Sequence, residues 1–293
     1  RNGKQEEASK LVADFVARNP QTLLIEPALA VVEGRAEPDR LIGDVRTGMS
    51  EVFRNVASLL NREQLRTEAL LFIRMALDLA PGDAAAKFSL AQLLEARERG
   101  DLAIEIYEKV DPRSPYSWYA RLGVADALHA RGESDAAIRL LRAMSSERPD
   151  RADAPRALAD LLRVTERFDD AVTAYDLAVE RMDGDPDWGL LYTRGIALER
   201  AKRWDRAEQD FLKALDVSPE QPLVLNYLGY SWVEQGVQLE RARKMIETAV
   251  GKRPRDGYIT DSLGWVLYRL GDFENAVVHL ERAVALEAGD PVI

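Results

Sequence analysis

Seven alanines recur along the chain at a nearly constant interval of 34 to 36 residues. Each is followed four residues later by a large apolar residue and seven residues later by a small or apolar one, which is the spacing of one face of an α-helix. A chain that repeats such a stripe at a fixed interval is constrained to build the same small unit many times. The alanines are Ala69, Ala103, Ala137, Ala171, Ala207, Ala242 and Ala276.

A second apolar stripe lies about twelve residues before these alanines, so each period is predicted to contain two helices. In the last two periods this stripe includes Gly229 and Gly264, whose small size would let two helices approach closely. Prolines follow the second stripe and would end the second helix, because proline has no amide proton to continue it. These prolines are Pro81, Pro149, Pro219 and Pro254.

This pattern resembles the tetratricopeptide repeat (TPR), a helix–turn–helix unit of the same period with the motifs W-x₂-L-G-x₂-Y, A-x₃-F and P. The resemblance implies an all-α fold, a right-handed superhelical α-solenoid that spans residues 49–293. The chain departs from the pattern at Arg194, which replaces an apolar residue, and by one extra residue in the segment GVQLERA. About seven repeats are predicted, at about 50–83, 84–117, 118–151, 152–187, 188–221, 222–256 and 257–290.

Residues 1–48 do not keep the interval. The segment EEASKLVADFVARNP resembles the second helix of a repeat, but its Ala8 lies 61 residues before Ala69. QTLLIEPALAVVE could form one more helix, whereas EGRAEPDRLIGDVRTG contains too many glycines and prolines for a full helix. We therefore predict degenerate N-terminal repeat helices and an irregular connection; the role of residues 34–48 stays open.

Composition and motifs argue against several classes of function. The net charge of −10 repels nucleic acid and anionic lipid. The chain has no cysteine for a disulfide, a thiolate metal site or a nucleophile, and its two histidines, His129 and His279, are too far apart in sequence to form a metal-binding motif. No phosphate-binding loop or hydrolase motif occurs, and the longest apolar stretch is too short to span a bilayer. We predict no catalytic residue, metal, cofactor, nucleic-acid partner or membrane span.

Stacked helix pairs share one long core, and a small rotation per repeat curls the stack into a concave surface. The resemblance implies that the first helix of each repeat lines this groove, and that the chain is a non-catalytic protein- or peptide-binding scaffold or adaptor. Aromatic residues with a few polar groups are typical of binding hot spots. In the C-terminal half the predicted groove residues are Tyr192, Asn226, Tyr230, Asp261, Trp265 and Tyr268. For each aromatic residue, ordinary packing between repeats is the alternative.

A secondary set of groove candidates lies nearer the N-terminus and consists of Arg54, Arg62, Arg156 and Asp160. Family members that clamp a C-terminal carboxylate use Lys, Arg and Asn on this surface. Because acidic residues accompany these arginines, we do not expect a carboxylate clamp of the chaperone type.

The C-terminal repeats, with LNYLGYSWVEQG and TDSLGWVLYRLG, look like those of TPR proteins from proteobacteria. Several of those are envelope lipoproteins, some of which deliver substrates to a periplasmic carboxyl-terminal processing protease or help assemble envelope machinery. The likeness implies a periplasmic or envelope location with a lipoprotein signal before Arg1; the cytoplasm is the alternative. Two other classes stay open: a structural protein that self-associates through its end repeats, and an enzyme.

Overall fold

The computed structural model describes residues 5–19, 22–37, 43–182 and 184–290, which contain sixteen α-helices and no β-strand. The predicted all-α fold is confirmed. The helices are α1 (Gln5–Arg18), α2 (Glu26–Val32), α3 (Val45–Arg62), α4 (Arg66–Leu79), α5 (Ala84–Glu95), α6 (Gly100–Tyr107), α7 (Tyr116–Ala130), α8 (Ser134–Glu147), α9 (Asp153–Val164), α10 (Phe168–Glu180), α11 (Trp188–Arg200), α12 (Trp204–Val217), α13 (Pro222–Gln235), α14 (Leu239–Lys252), α15 (Gly257–Leu270) and α16 (Phe273–Leu286).

The recurring alanines form the contact between paired helices. All seven are between 0% and 2% exposed. At Gly264 an added Cβ would lie 2.6 Å from the Leu280 Cγ, and at Gly229 it would lie 2.9 Å from the Ile246 Cγ1. Since no side chain fits at such distances, the small residues of the first helix and the large residues of the second must face each other. The predicted register of the helix pairs is therefore correct.

The two helices of a pair are joined by a short turn that contains a residue with positive φ. In the last pair, Gly271 has φ +86° at the end of α15, and its N–H donates to the Tyr268 carbonyl. A residue in the left-handed conformation at this point lets the N–H groups that follow the helix donate hydrogen bonds to the last carbonyl groups of that helix. The corresponding residues along the chain are Gln64, Glu98, Gly132, Glu166, Lys202, Gly236 and Gly271.

Prolines follow the ends of helices as the sequence predicts, and aspartates cap the starts of others. Helix α4 ends two residues before Pro81, and α14 ends two residues before Pro254. The carboxylates of Asp83, Asp187 and Asp256 each accept a hydrogen bond from the backbone N–H three residues later, at the start of α5, α11 and α15. Such caps satisfy a donor that the first turn leaves unpaired.

The chain divides into two compact units. Unit 1 comprises Arg1–Arg167 with Asp176–Asp183, and unit 2 comprises Phe168–Tyr175 with Gly184–Ile293. The predicted aromatic site residues all belong to unit 2, and the secondary basic candidates all belong to unit 1. The predicted repeat boundaries stay a prediction, and the predicted irregular connection, residues 34–48, is described only over 34–37 and 43–48.

Candidate protein-binding surface

Three of the predicted residues, Tyr230, Trp265 and Tyr268, lie at the surface of α13 and α15. The Trp265 and Tyr268 rings are stacked, with centroids 5.4 Å apart and planes inclined by 12°. Phe273, at the start of α16, packs edge-on against Tyr268 at 5.5 Å. Tyr230, Tyr268 and Phe273 are 39%, 49% and 59% exposed. Unit 2 therefore presents a row of aromatic rings to solvent.

Glu234 connects this row to the neighbouring helix. The Trp265 Nε1–H on α15 donates to the Glu234 Oε1 on α13 over 2.7 Å. The Arg269 guanidinium carbon lies 5.8 Å from the centroid of the Trp265 ring. The sequence interpretation omitted Glu234, Arg269 and Phe273, although Glu234 follows Tyr230 by four residues and so shares its helical face.

Hydrogen-bond acceptors border the rings. Asp261 has no hydrogen-bond or ion-pair partner within the described residues, and burial raises the pKa of its carboxyl. Burial also raises the pKa of Tyr230, and the nearby carboxylates of Glu234 and Asp261 raise it further. The buried Oδ1 of Asn226 likewise lacks a partner in the part of the chain described. Because the Asn226 Oδ1 is buried, only the partly exposed Asp261 carboxylate is open to hydrogen bonds from a ligand that carries donors.

We refer to Tyr230, Glu234, Asp261, Trp265, Tyr268 and Phe273 as the aromatic surface. Its rings can bury apolar side chains, and its carboxylates can bind N–H groups or a cationic side chain. A ligand carboxylate would meet the negative charge of Asp261 and Glu234. The chemistry of this surface is therefore unlike that of a carboxylate clamp.

Tyr192 lies outside this group. Its half-buried ring packs at 6.2 Å from Phe211 on α12 and meets Tyr227 on α13 edge-on at 5.9 Å. Tyr227 in turn donates from its hydroxyl to Glu199 on α11. Tyr192 thus helps to pack α11 against its neighbours, which is the alternative that the sequence left open for each aromatic residue.

The secondary candidates lie on α3 and α9 of unit 1. The Arg54 Nε lies 3.6 Å from the Asp83 Oδ2, so Arg54 pairs with the residue that caps α5. Arg62 is exposed at the end of α3, whereas Arg156 and Asp160 are both half-buried and four residues apart on α9. Arg54 is thus engaged in holding neighbouring repeats together.

Two other features are absent from the described residues. No group of three or more His, Asp or Glu side chains is arranged to hold a metal ion. No described helix combines the length and the apolar character needed to cross a bilayer.

Comparison with known proteins agrees with the architecture. One tetratricopeptide repeat family model matches residues 62–117, 192–236 and 238–291, which is more than half of the chain, and a second matches residues 128–195. The TPR repeat-containing protein PA4667 of Pseudomonas aeruginosa is 33% identical over 98 residues. That match covers 33% of this chain and only 17% of PA4667.

Solved structures share the fold at low identity. Within the Cut9–Hcn1 hetero-tetramer of the APC/C, one chain is similar with a TM-score of 0.60 at 13% identity, over 90% of this chain and 46% of that one. The C-terminal part of a TPR repeat-containing protein from Cytophaga hutchinsonii gives a TM-score of 0.57 at 16% identity, over 82% of this chain and 97% of that one. The period of the alanines, the paired helices and these matches lead to one conclusion: the chain belongs to the tetratricopeptide repeat family.

Proposed function

We propose that the chain is a non-catalytic scaffold that binds a protein or peptide through the aromatic surface of unit 2. TPR repeats and the structural neighbours support a protein-interaction scaffold in general. The observation that supports this particular surface is the cluster of the Trp265, Tyr268 and Phe273 rings at the surface, beside the unpartnered carboxylate of Asp261. A ligand can cover the exposed rings and can donate a hydrogen bond to the acceptor that has no donor.

The same residues define the chemistry of the ligand. An apolar side chain would cover the rings, and backbone N–H groups or a lysine or arginine would pair with Asp261 and Glu234. We therefore propose a polypeptide segment that combines apolar and basic residues. An acidic segment would be disfavoured, because it would bring like charges together.

The test is a chain that carries both Tyr230→Ala and Trp265→Ala. A partner is first captured from the native cell with the full-length protein, identified and purified, and its affinity is then measured by titration calorimetry. We expect the double variant to lose about 2 kcal/mol or more of binding free energy, or about 30-fold in Kd, because buried aromatic anchors dominate such interfaces. Tyr258→Ala is the matched control, since Tyr258 is a half-exposed tyrosine on the same helix outside the aromatic surface.

Thermal melting of the same variants separates binding from folding. Trp232 is 1% exposed, so Trp232→Ala should destabilise the fold by about 3 to 5 kcal/mol. A double variant that melts as early as Trp232→Ala would show that the rings belong to the core. If it stays folded and binds the partner normally, the site lies elsewhere, and Arg54, Arg62, Arg156 and Asp160 become the next residues to test.

We also propose a role in the assembly or proteolysis of bacterial envelope proteins. The support is the likeness of the C-terminal repeats to proteobacterial TPR proteins, together with the 33% identity to the Pseudomonas aeruginosa protein over 98 residues. The capture experiment tests this role as well. Envelope proteins among the partners are expected, and partners drawn entirely from the cytoplasm would contradict it.

A second candidate function is self-association through α16. Val277, Val278 and Val284 are all more than half exposed on this helix, and exposed apolar faces favour association. Light scattering at increasing protein concentration should show a rise in mass for the parent chain and none for a Val278→Glu variant. A constant monomer mass for both would exclude this function.

A further inference from the structure

Unit 1 contains a cleft of about 520 Å³ at the start of α7. Its walls come from the α6–α7 connection, the first turns of α7 and the end of α8, with Val110, Pro115, Trp118, Arg121 and Arg148 among them. The remaining wall comes from the N-terminal segment, through Leu23, Glu26 and Pro27. The cleft is thus formed by the repeats on one side and by a distant part of the chain on the other.

Residues 22–27, with the sequence TLLIEP, contact the repeats through Leu23 and Glu26. The Leu23 side chain is 5% exposed, whereas that of its neighbour Leu24 is 45% exposed. The Leu23 backbone N–H donates to the Tyr119 hydroxyl over 2.9 Å. The Glu26 Oε1 lies 3.9 Å from the Arg148 Nη2, which also pairs with the Asp150 Oδ2 at 2.9 Å. The described parts of α1 and α2 contribute no buried residue, so Leu23 is the buried anchor between them.

A buried leucine, a main-chain hydrogen bond and a flanking ion pair are the contacts by which a receptor binds a short peptide. We propose that the repeat wall of this cleft, together with the adjoining Tyr119, is a peptide-binding site, and that residues 22–27, which cover this wall, are a tethered ligand for it. A free peptide with the same chemistry, a leucine in a non-helical stretch followed three residues later by a carboxylate, competes with the tethered segment for the cleft. The site goes beyond the function proposed above, because it lies in the other unit and selects an acidic rather than a basic segment.

The bound segment is suited to exchange. A single hydrogen bond and a partly exposed ion pair each contribute little to stability, so the burial of Leu23 provides most of the attraction. The tether holds the segment at a high effective concentration, which lowers the apparent affinity for any free peptide. Removing the anchor from the chain should therefore expose the cleft and strengthen binding of the free peptide.

The experiment measures the fluorescence anisotropy of a labelled peptide with the sequence of residues 22–32, TLLIEPALAVV, titrated with the full chain. Three chains are compared: the parent, Leu23→Asp and Leu24→Asp. We expect Leu23→Asp to bind the peptide at least about ten-fold more tightly than the other two, because only this change frees the cleft. The peptide in which aspartate replaces the residue equivalent to Leu23 should not bind.

Two further variants identify the contacts. Adding Tyr119→Phe to Leu23→Asp removes the acceptor of the main-chain hydrogen bond. The affinity for the peptide should then fall about 3-fold to 10-fold. The Tyr230→Ala and Trp265→Ala changes should leave its affinity unchanged, so the two proposals can fail separately.

Three results would overturn the proposal. One is an absence of peptide binding to a Leu23→Asp chain whose circular dichroism and tryptophan fluorescence are those of a folded protein. Another is equal affinity in the parent, Leu23→Asp and Leu24→Asp chains. The third is a dimer of the parent that dissociates on Leu23→Asp substitution, which would mean that the segment docks between two copies.

Discussion

Arg194 on α11 and Asp210 on α12 form a two-point ion pair, with 2.6 Å between Nε and Oδ2 and 2.7 Å between Nη2 and Oδ1. Asp210 is 4% exposed, so the pair lies largely out of water. Arg194 stands where the TPR pattern has an apolar residue. Arg194 can depart from the pattern because its guanidinium pairs with the Asp210 carboxylate.

We expect Asp210→Ala to destabilise the protein by about 3 to 5 kcal/mol, because it leaves the Arg194 guanidinium partly buried without this carboxylate. Replacing both residues by leucine should restore most of the loss, since apolar packing can substitute for a buried ion pair. Urea denaturation followed by circular dichroism measures both. An Asp210→Ala chain as stable as the parent would show that the pair is not needed.

Close contact at Gly264 predicts a steric cost. Gly264→Leu should destabilise the protein by about 1 to 3 kcal/mol, because the new side chain would overlap Leu280 and force α15 away from α16. Gly251 on α14 is the control: a Cβ there would meet no atom within 4 Å, so Gly251→Ala should be neutral or stabilise by up to about 1 kcal/mol. Equal melting temperatures for Gly264→Leu and the parent would contradict the helix contact.

The left-handed turns predict effects of opposite sign at Lys202 and Gly271. Lys202 has φ +61°, where a side chain is strained, so Lys202→Gly should stabilise by about 1 kcal/mol. Gly271→Ala should destabilise by about 1 kcal/mol through the backbone alone, because the added methyl would touch nothing. Thermal melts of the two variants check the pair. A lower melting temperature for Lys202→Gly would show that the lysine side chain contributes more than its backbone strain costs.

The carboxyl of Asp261 predicts a dependence of stability on pH. Burial raises its pKa in the folded chain above the ordinary value of about 3.9 that applies in the unfolded chain. Between these two pKa values the folded state binds more protons than the unfolded state, so the free energy of unfolding falls as pH rises through this window. Asp261→Asn should therefore melt at a higher temperature than the parent at pH 7, and the difference should vanish below about pH 4.

The control for Asp261→Asn is Asp185→Asn, at an exposed carboxylate of the same unit. It should leave the melting temperature nearly unchanged at both pH values. If Asp261→Asn melts earlier than the parent at pH 7, the carboxylate has a stabilising partner and does not await a ligand.

The fold could be predicted from the sequence because its main steric requirement recurs. Each helix pair needs a small residue at the same contact. The seven recurring alanines, from Ala69 to Ala276, are these small residues. The exposed positions of Tyr230 and Tyr268 followed from the helical period. The helical period could not distinguish these two tyrosines from Tyr192. Tyr192 is half-buried because it packs against the rings of Phe211 and Tyr227, which lie on two other helices.

Contacts without a repeating pattern could not be predicted. The hydrogen bond from Leu23 to Tyr119 joins residues 96 positions apart, and nothing in TLLIEP identifies Tyr119 as its acceptor. The link between Trp265 and Glu234 depends on how two helices are positioned side by side, which a one-dimensional pattern specifies only in part.

The recurring alanines also determine how the chain tolerates mutation. At each of them a larger side chain would push two helices apart, so every added repeat adds one more position that cannot vary in size. The number of sensitive sites grows in proportion to length, while the residues between them stay free to change. Tolerance to substitution therefore has the same period as the fold.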